Sequence, residues 1–327
     1  MTKNMISKKS ITVIGTAIVD CMVKGFDPVP VSASGYRAGS AGLFPGGEAL
    51  NQSVILKRLG MEPHIVCGLG QDSASRLLTD SLAKEGVDLR YAVRNESFET
   101  PVSVIFVDEK GERQSITNKA HAINFRPDRN REWVEACGGL SIASLFRAPF
   151  SDPKVVLSVV KAAKETGASV YADTKMPNFY KLTLSDLSES LPFVDYIFPN
   201  EKEAQYYSGV TFETERDVEK AADVFLSCGI GNVIIKLGEK GCFFKNRNEK
   251  YRIPAIKVEA VDATGAGDSF AAGFITAMAE GKGNEEALCF ASCLGAICAT
   301  KTGAVSALAD RNQADELYGK VMAGEIL

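Results

Sequence analysis

Short apolar runs alternate along this chain with longer segments of helical spacing. The runs are Ile11–Ile18, Ile65–Leu69, Leu140–Leu145, Ser169–Ala172, Val194–Phe198 and Val233–Leu237. Each is too short for a helix, so each predicts a buried strand. Between them, segments such as Pro153–Thr166 and Arg216–Ser227 carry the helical period. Strand–helix alternation of this kind predicts βαβ units, hence a doubly wound, mainly parallel α/β sheet with helices on both faces. Near the C-terminus Phe270, Phe274 and Met278 share one stripe, with Ala271 and Ile275 beside it, which predicts a helix starting at about Ala266. Two stretches break the pattern. Cys21–Phe44 is rich in Gly, Pro, Ser and Val without a helical period. Pro101–Ile123 alternates at Val102, Val104 and Phe106, then turns at Asp108-Glu109-Lys110-Gly111, as a hairpin does. These insertions, about 21–44 and 101–123, are expected to form a small β lid over one end of the sheet. With no repeat or evident linker, residues 1–327 read as a single domain.

Composition narrows the class. The 327 residues are 45% hydrophobic and 24% charged, as in ordinary globular proteins, and the formal net charge is −4. That balance argues against a nucleic-acid or anionic-membrane surface. Lys8-Lys9 followed by Ile11–Val19 mimics a secretory signal, but Asp20 ends the run and a first strand is the better reading. The best apolar helix candidate, Ala287–Ala299, is short and made largely of small residues, so it reads as packed rather than membrane-spanning. Eight cysteines are scattered without a C-x-x-C pair, as small hydrophobes in a reducing cytoplasm would be. Two histidines, His64 and His121, leave little material for a histidine triad or metal site.

The chemistry concentrates in Asp262-Ala263-Thr264-Gly265-Ala266-Gly267-Asp268-Ser269-Phe270. Two carboxylates bracket a turn of small residues that opens the helix. Its first turn offers the N–H groups of Gly265, Ala266 and Gly267 and the positive end of the helix dipole, an anion site. A carboxylate beside such a site costs energy unless it has work there. Asp268 is placed to accept the proton of a hydroxyl that attacks a bound phosphate. The alternative is an acid that merely complements the dipole. Positions just past the predicted strands should rim a ligand crevice: Asp20, Gly70 with Asp72, Arg147, Asp173 to Lys175, Asn200 and Gly238. Neither G-x-x-x-x-G-K-[ST] nor a G-x-G-x-x-G after a strand is present, which leaves a P-loop and a dinucleotide fold without support.

Asp262–Asp268 resembles the C-terminal signature of the PfkB family, the ribokinase-like sugar kinases. Pro45-Gly46-Gly47-Glu48-Ala49-Leu50-Asn51, running on through Leu59-Gly60, resembles the family's other signature. The resemblance implies a ribokinase-like fold with a β lid and a kinase that uses ATP and Mg²⁺. It implies Asp268 as base, with Gly265, Ala266 and Gly267 as the anion hole. Asp20, Gly46, Gly47 and Asn51 would bind the sugar. Asn200 and Glu203, in Pro199-Asn200-Glu201-Lys202-Glu203, match the family's Asn-x-x-Glu element and would hold Mg²⁺ through water; the same spacing is also a common helix cap. Lys236, Gly238 and Gly241, with Thr264 and Ser292, would border the nucleotide; Gly238 and Gly241 also suit a plain hairpin. Asp262, with carbonyls near Cys298 and Gly303, would seat a monovalent cation such as K⁺. A homodimer joined through the lids is expected, since lid strands present an edge that proteins usually cover. Within the family a nucleoside kinase is the nearest alternative, and an idle sugar or nucleotide sensor on the same fold a second.

One segment departs from the pattern. Fructokinases and ketodeoxygluconate kinases often carry Asp-Pro-Asn-x-Arg after the mid-sheet strand; here it is Asp173-Thr174-Lys175-Met176-Pro177. Arg147 and Lys175 would both face the acceptor beside Asp173, and two cations there could engage the carboxylate of a sugar acid. The alternative is that Arg147 pairs with Asp173 and Lys175 points to solvent.

Overall fold

Apolar residues of the central strands divide between two separate cores. Val13, Ile65, Tyr171, Phe198 and Ile234 pack on one side, while their neighbours Ile14, Val66, Ala172, Ile197 and Ile235 pack on the other. This period of two is what a sheet covered on both faces requires. The computed structural model describes residues 6–25, 38–107, 113–118, 125–177, 181–301 and 304–326.

The chain opens with β1 (Ser10–Ile14), β2 (Ile18–Lys24), β3 (Ser40–Gly46) and α1 (Glu48–Arg58). Next come β4 (Glu62–Val66), β5 (Gly68–Leu69), α2 (Ser73–Lys84) and β6 (Val93–Arg94). A hairpin of β7 (Val102–Val107) and β8 (Arg113–Thr117) precedes β9 (Gly139–Leu145), α3 (Pro153–Glu165) and β10 (Ser169–Thr174). Then follow β11 (Tyr196–Phe198), α4 (Glu201–Ser208), α5 (Glu215–Ser227), β12 (Asn232–Lys236), β13 (Cys242–Lys245) and β14 (Lys250–Ile253). The chain closes with α6 (Ala266–Ala279), α7 (Asn284–Ala299), α8 (Ala304–Ala307) and α9 (Arg311–Met322).

The main sheet has the order β14-β13-β12-β11-β10-β9-β1-β4, parallel from β4 to β12 and antiparallel at β13 and β14. Helices α1, α2, α6 and α7 contribute to one core and α3, α4 and α5 to the other. From β1 the sheet grows both ways, to β4 on one side and β9 on the other. Such a switch point leaves a crevice beyond the carboxyl ends of the strands.

The predicted run Ile11–Ile18 is not one strand. β1 ends at Ile14 and β2 belongs to a second, four-stranded sheet ordered β3-β2-β7-β8, which is the lid. The break falls at Gly15, where an added Cβ would lie 3.1 Å from Ala143 and 3.3 Å from Ala49. The chain leaves the sheet there through a close crossing, where a side chain would press on Ala143 and Ala49. Asp20 therefore sits within a lid strand and not past the end of β1. The lid strands extend beyond the expected 21–44 to Ile18 and Gly46; residues 26–37, 108–112 and 119–124, with His121 and the expected hairpin turn, lie outside the described residues. The run Ile65–Leu69 likewise divides between β4 and β5, and Asn232–Lys236 replaces the expected Val233–Leu237. His64 lies in β4 with ring nitrogens 3.0 Å from Asp88 and 3.0 Å from Ser10, a structural pairing far from the helix that begins at Ala266. Among the described residues no helix is long and apolar enough to cross a membrane.

Candidate active site

Two glycine-containing turns bring the two motifs together. Gly47 precedes α1 with φ 95°, a left-handed value that favours glycine, and an added Cβ would stand 2.4 Å from the Thr16 carbonyl oxygen. The absent side chain lets α1 start against the crossing after β1, where the Ala49 amide donates to that same oxygen at 3.1 Å. One turn into α1, Asn51 is buried and its Nδ2 donates to Asp268 Oδ2 at 2.8 Å, across 217 residues of sequence.

Asp268 comes from the second turn. Asp262 Oδ1 accepts from the Thr264 amide at 2.9 Å and from its hydroxyl at 2.6 Å, closing a tight turn. Gly265 then takes φ 81°, and α6 begins at Ala266 as expected. One of the three amides expected to form the anion hole is spent within the turn. The Ala266 amide bends back to the Ala263 carbonyl at 3.2 Å. Among the described residues, the amides of Gly265, Gly267 and Asp268 remain for a ligand. A Cβ on Gly267 would meet only Lys236 Nζ, at 3.4 Å, so its face is open.

The surroundings of Asp268 are strongly charged. Lys175 Nζ lies 3.6 Å from Asp173 Oδ2, 3.9 Å from Asp268 Oδ1 and 3.9 Å from Glu48 Oε1. Lys236 Nζ donates to Asp173 Oδ1 at 2.6 Å. Burial pushes the Asp268 carboxyl up to about 6; Lys175 opposes the rise, Glu48 and Asp173 add to it, and the Asn51 hydrogen bond opposes it. For Lys175 burial works against the charge, but Asp173, Asp268 and Glu48 together hold the ammonium above the usual lysine range. A carboxyl near 6 is poised to trade a proton at neutral pH.

A cavity of about 1030 Å³ opens beside this cluster. It is lined by the Gly265–Asp268 turn with Lys175, by Gly238, Gly241 and Ser292, and by the apolar side chains of Pro254, Ala255, Ile256 and Val258 beside Lys257. That volume suits a nucleotide-sized ligand, anionic at the turn and apolar at the far end. The family model for pfkB family carbohydrate kinases matches residues 8–311. The ribokinase of Haemophilus influenzae is 32% identical over 270 residues, covering 82% of this chain and 85% of that protein. This chain belongs to the pfkB carbohydrate kinase family. Arabidopsis thaliana ribokinase, solved with ribose and ATP, superposes with a TM-score of 0.83 at 26% identity, covering 94% of this chain and 98% of that one. An Escherichia coli chain provisionally named ribokinase II, solved with ATP and Mg²⁺, gives 0.77 at 25% identity, covering 95% and 99%.

Within this kinase the predicted residues fall into three groups. Asn200, Glu203, Lys236, Gly238, Gly241, Gly265, Ala266, Gly267 and Ser292 line the cavity. Thr264 does not; its hydroxyl is turned to Asp262. Gly241 serves as hairpin and wall at once: its φ is 84°, and a Cβ would stand 2.0 Å from the Ile253 carbonyl oxygen. Asp20, Gly46, Gly47 and Asn51 gather on the lid side, where a Cβ on Gly46 would strike Asp20 Oδ2 at 2.5 Å. Arg147 does not line the cavity; its Nε donates to the Met176 carbonyl at 2.9 Å. No contact among the described residues pairs it with Asp173, and Lys175 faces carboxylates instead of solvent.

Asn200 and Glu203 form a reciprocal helix cap, each accepting from the other's amide at 3.0 Å, and Glu203 Oε2 also accepts from the Thr174 hydroxyl at 2.7 Å. Burial pushes the Glu203 carboxyl up, with Lys236 opposing. No group of three or more His, Cys, Asp or Glu side chains that could hold a metal ion occurs among the described residues. Asn200 and Glu203 carry oxygen donors, the type that Mg²⁺ takes through water, with Asn200 Oδ1 and Glu203 Oε2 already accepting within the cap. For the monovalent cation, Asp262 spends Oδ1 on Thr264, and Gly303 lies outside the described residues. Glu48 is the residue that sequence reasoning quoted without a role. Its only signal was its place as the first acid after Gly46-Gly47.

Proposed function

We propose that residues 8–311 act as one kinase domain that transfers the γ-phosphoryl group of ATP to a hydroxyl of a neutral sugar, with Asp268 as the general base. The buried Asn51–Asp268 contact carries this reading, because one N–H···O hydrogen bond joins the lid-side residues to the anion turn. The acceptor hydroxyl donates to Asp268 Oδ1, which is buried with no hydrogen-bond partner among the described residues. As its oxygen bonds to the γ-phosphorus, the proton passes to Asp268. The bond from that phosphorus to the β,γ-bridging oxygen breaks, and its electron pair leaves with ADP. The amides of Gly265 and Gly267 take charge on the phosphoryl oxygens. Bound Mg²⁺ would neutralise phosphate charge, its waters held by Asn200 and Glu203. Gly46 and Gly47 let the chain close on Asp20 and on Thr16, which sets Asp20 and Asn51 toward the sugar, and Asp20 accepts from its hydroxyls.

The neutral sugar is favoured over a sugar acid by charge. Three carboxylates (Glu48, Asp173, Asp268) surround Lys175, and Arg147 is turned to a backbone carbonyl. A substrate carboxylate beside Lys175 would face all three of these carboxylates. A panel of pentoses, hexoses, nucleosides and sugar acids, assayed by sugar-dependent ADP release, tests this. A neutral sugar should give a kcat/KM at least about tenfold above any sugar acid, the effect of one unpaired charge. A sugar acid as the best substrate would sink the neutral-sugar reading, and a nucleoside would replace it with the nucleoside kinase.

The lid supports a homodimer. Leu43, Cys21, Val104 and Ile116 stand in register across all four lid strands, and Leu43 and Ile116 are 58% and 69% exposed. A continuous apolar row of this kind is covered in most proteins. Sedimentation at micromolar concentration should give twice the chain mass for the wild type and the chain mass for Ile116→Lys. A monomeric wild type refutes the dimer.

A further inference from the structure

The three contacts of Lys175, at 3.6 to 3.9 Å, are longer than hydrogen bonds. The ammonium is held by charge while its N–H donors make no hydrogen bond among the described residues. The oxygens it stands off from include Asp173 Oδ2 and Asp268 Oδ1, both buried without a hydrogen-bond partner among the described residues. Lys236, the neighbouring cation, already donates to Asp173 at 2.6 Å.

The backbone under Lys175 is fixed from three sides. Its amide donates to the Leu145 carbonyl at 3.1 Å, and its carbonyl accepts from the Tyr207 hydroxyl at 2.7 Å. Arg147 Nε holds the Met176 carbonyl at 2.9 Å, and Phe146 stacks on Tyr207 at 3.9 Å. This clamp is the work of Arg147. The lysine it aims lines the same cavity as Gly265 and Gly267.

We propose that Lys175 is a catalytic residue of this kinase, donating to an oxygen of the phosphoryl group in flight, and that Glu48 is a positioning residue whose negative charge holds the ammonium over Asp268. The proposal rests on Asp268 as the base. Three carboxylates against Lys175 and Lys236 leave one negative charge in excess. An anionic phosphoryl group entering there needs a cation with free donors between it and Asp268, and Lys175 supplies it. Besides Asn51, the groups around Asp268 are Lys175, Asp173 and Glu48, with Cys298 behind the turn and Lys236 and Glu203 beyond Asp173.

The test measures kcat and the acid limb of kcat/KM in Lys175→Met, Lys175→Arg and Glu48→Gln, with thermal unfolding as a check on folding. Lys175→Met should lower kcat by about a hundredfold or more, the cost of one lost oxyanion donor, and move the acid limb upward from near 6. Glu48→Gln should move the limb downward, because a like charge beside Asp268 is gone. Lys175→Arg should recover part of kcat and return the limb toward the wild-type position. A folded Lys175→Met with kcat within about threefold of wild type overturns the proposal. So does a limb that stays put in both Lys175→Met and Glu48→Gln. If Lys175→Met fails to fold, the Glu48→Gln limb decides, and an unmoved one overturns the proposal. Asp268→Asn, run alongside, separates the two levels. Full activity there fails the base reading itself, whereas an inactive Asp268→Asn beside a fully active Lys175→Met fails only the lysine.

Discussion

Replacing Asp268 with Asn lowers kcat by at least about a hundredfold and leaves KM for ATP and sugar within about threefold, the pattern of a lost general base. Asparagine keeps the shape of the side chain and can still meet Asn51, but it cannot take the hydroxyl proton. The same substitution changes stability with a definite sign. Burial lifts the Asp268 carboxyl from 3.8 to about 6 in the folded chain. The folded protein therefore holds this proton more tightly than the unfolded one, and the associated stability is present below about 3.8 and lost as pH rises through about 6. A shift of that size corresponds to about 3 kcal/mol. At pH 7.5 the wild type buries a charge that asparagine lacks. Urea unfolding should find Asp268→Asn more stable there by up to about 3 kcal/mol, with the gap closing near pH 4. A variant less stable than wild type at pH 7.5 would show that the charge pairing of Asp268 with Lys175 outweighs its burial.

Gly47→Ala is the most damaging small change expected on the lid side. Its Cβ would sit 2.4 Å from the Thr16 carbonyl oxygen and 3.0 Å from the Thr16 carbonyl carbon, and its φ of 95° is strained for any L residue. Both obstacles are backbone, so α1 must move, and Asn51 moves with it. A loss of about 3 kcal/mol or more is expected, with most of the activity. Gly267→Ala is the control: its Cβ meets only the flexible end of Lys236, at 3.4 Å, and should leave the urea midpoint nearly unchanged. Equal midpoints for Gly47→Ala and wild type would contradict the crossing described here.

Local pattern made much of this molecule legible. The stripe of Phe270, Phe274 and Met278 fixes the helix that begins at Ala266, because packing on one face is a local property of spacing. Alternation at Val102, Val104 and Phe106 reveals the lid hairpin for the same reason. The break at Gly15 was hidden, since the apolar residues of Ile11–Ile18 run on across it and the residues that crowd Gly15, Ala49 and Ala143, are far off in sequence. The cluster around Lys175 was hidden too. Glu48, the Asp173–Lys175 segment and Asp268 come from three separate parts of the chain, and whether a lysine faces solvent, substrate or carboxylates depends on how those parts meet. The Ala266 amide is a finer case: glycine-rich sequence marks an anion turn without saying which amide the turn itself consumes.

The most direct measurement is the pH dependence of kcat/KM for the neutral sugar, in wild type and in Asp268→Asn. With Asp268 as the base, wild-type activity falls tenfold per pH unit below a limb near 6, and the small residual activity of Asp268→Asn lacks that limb. Wild-type activity that stays flat down to pH 5, or the same limb persisting in Asp268→Asn, contradicts it.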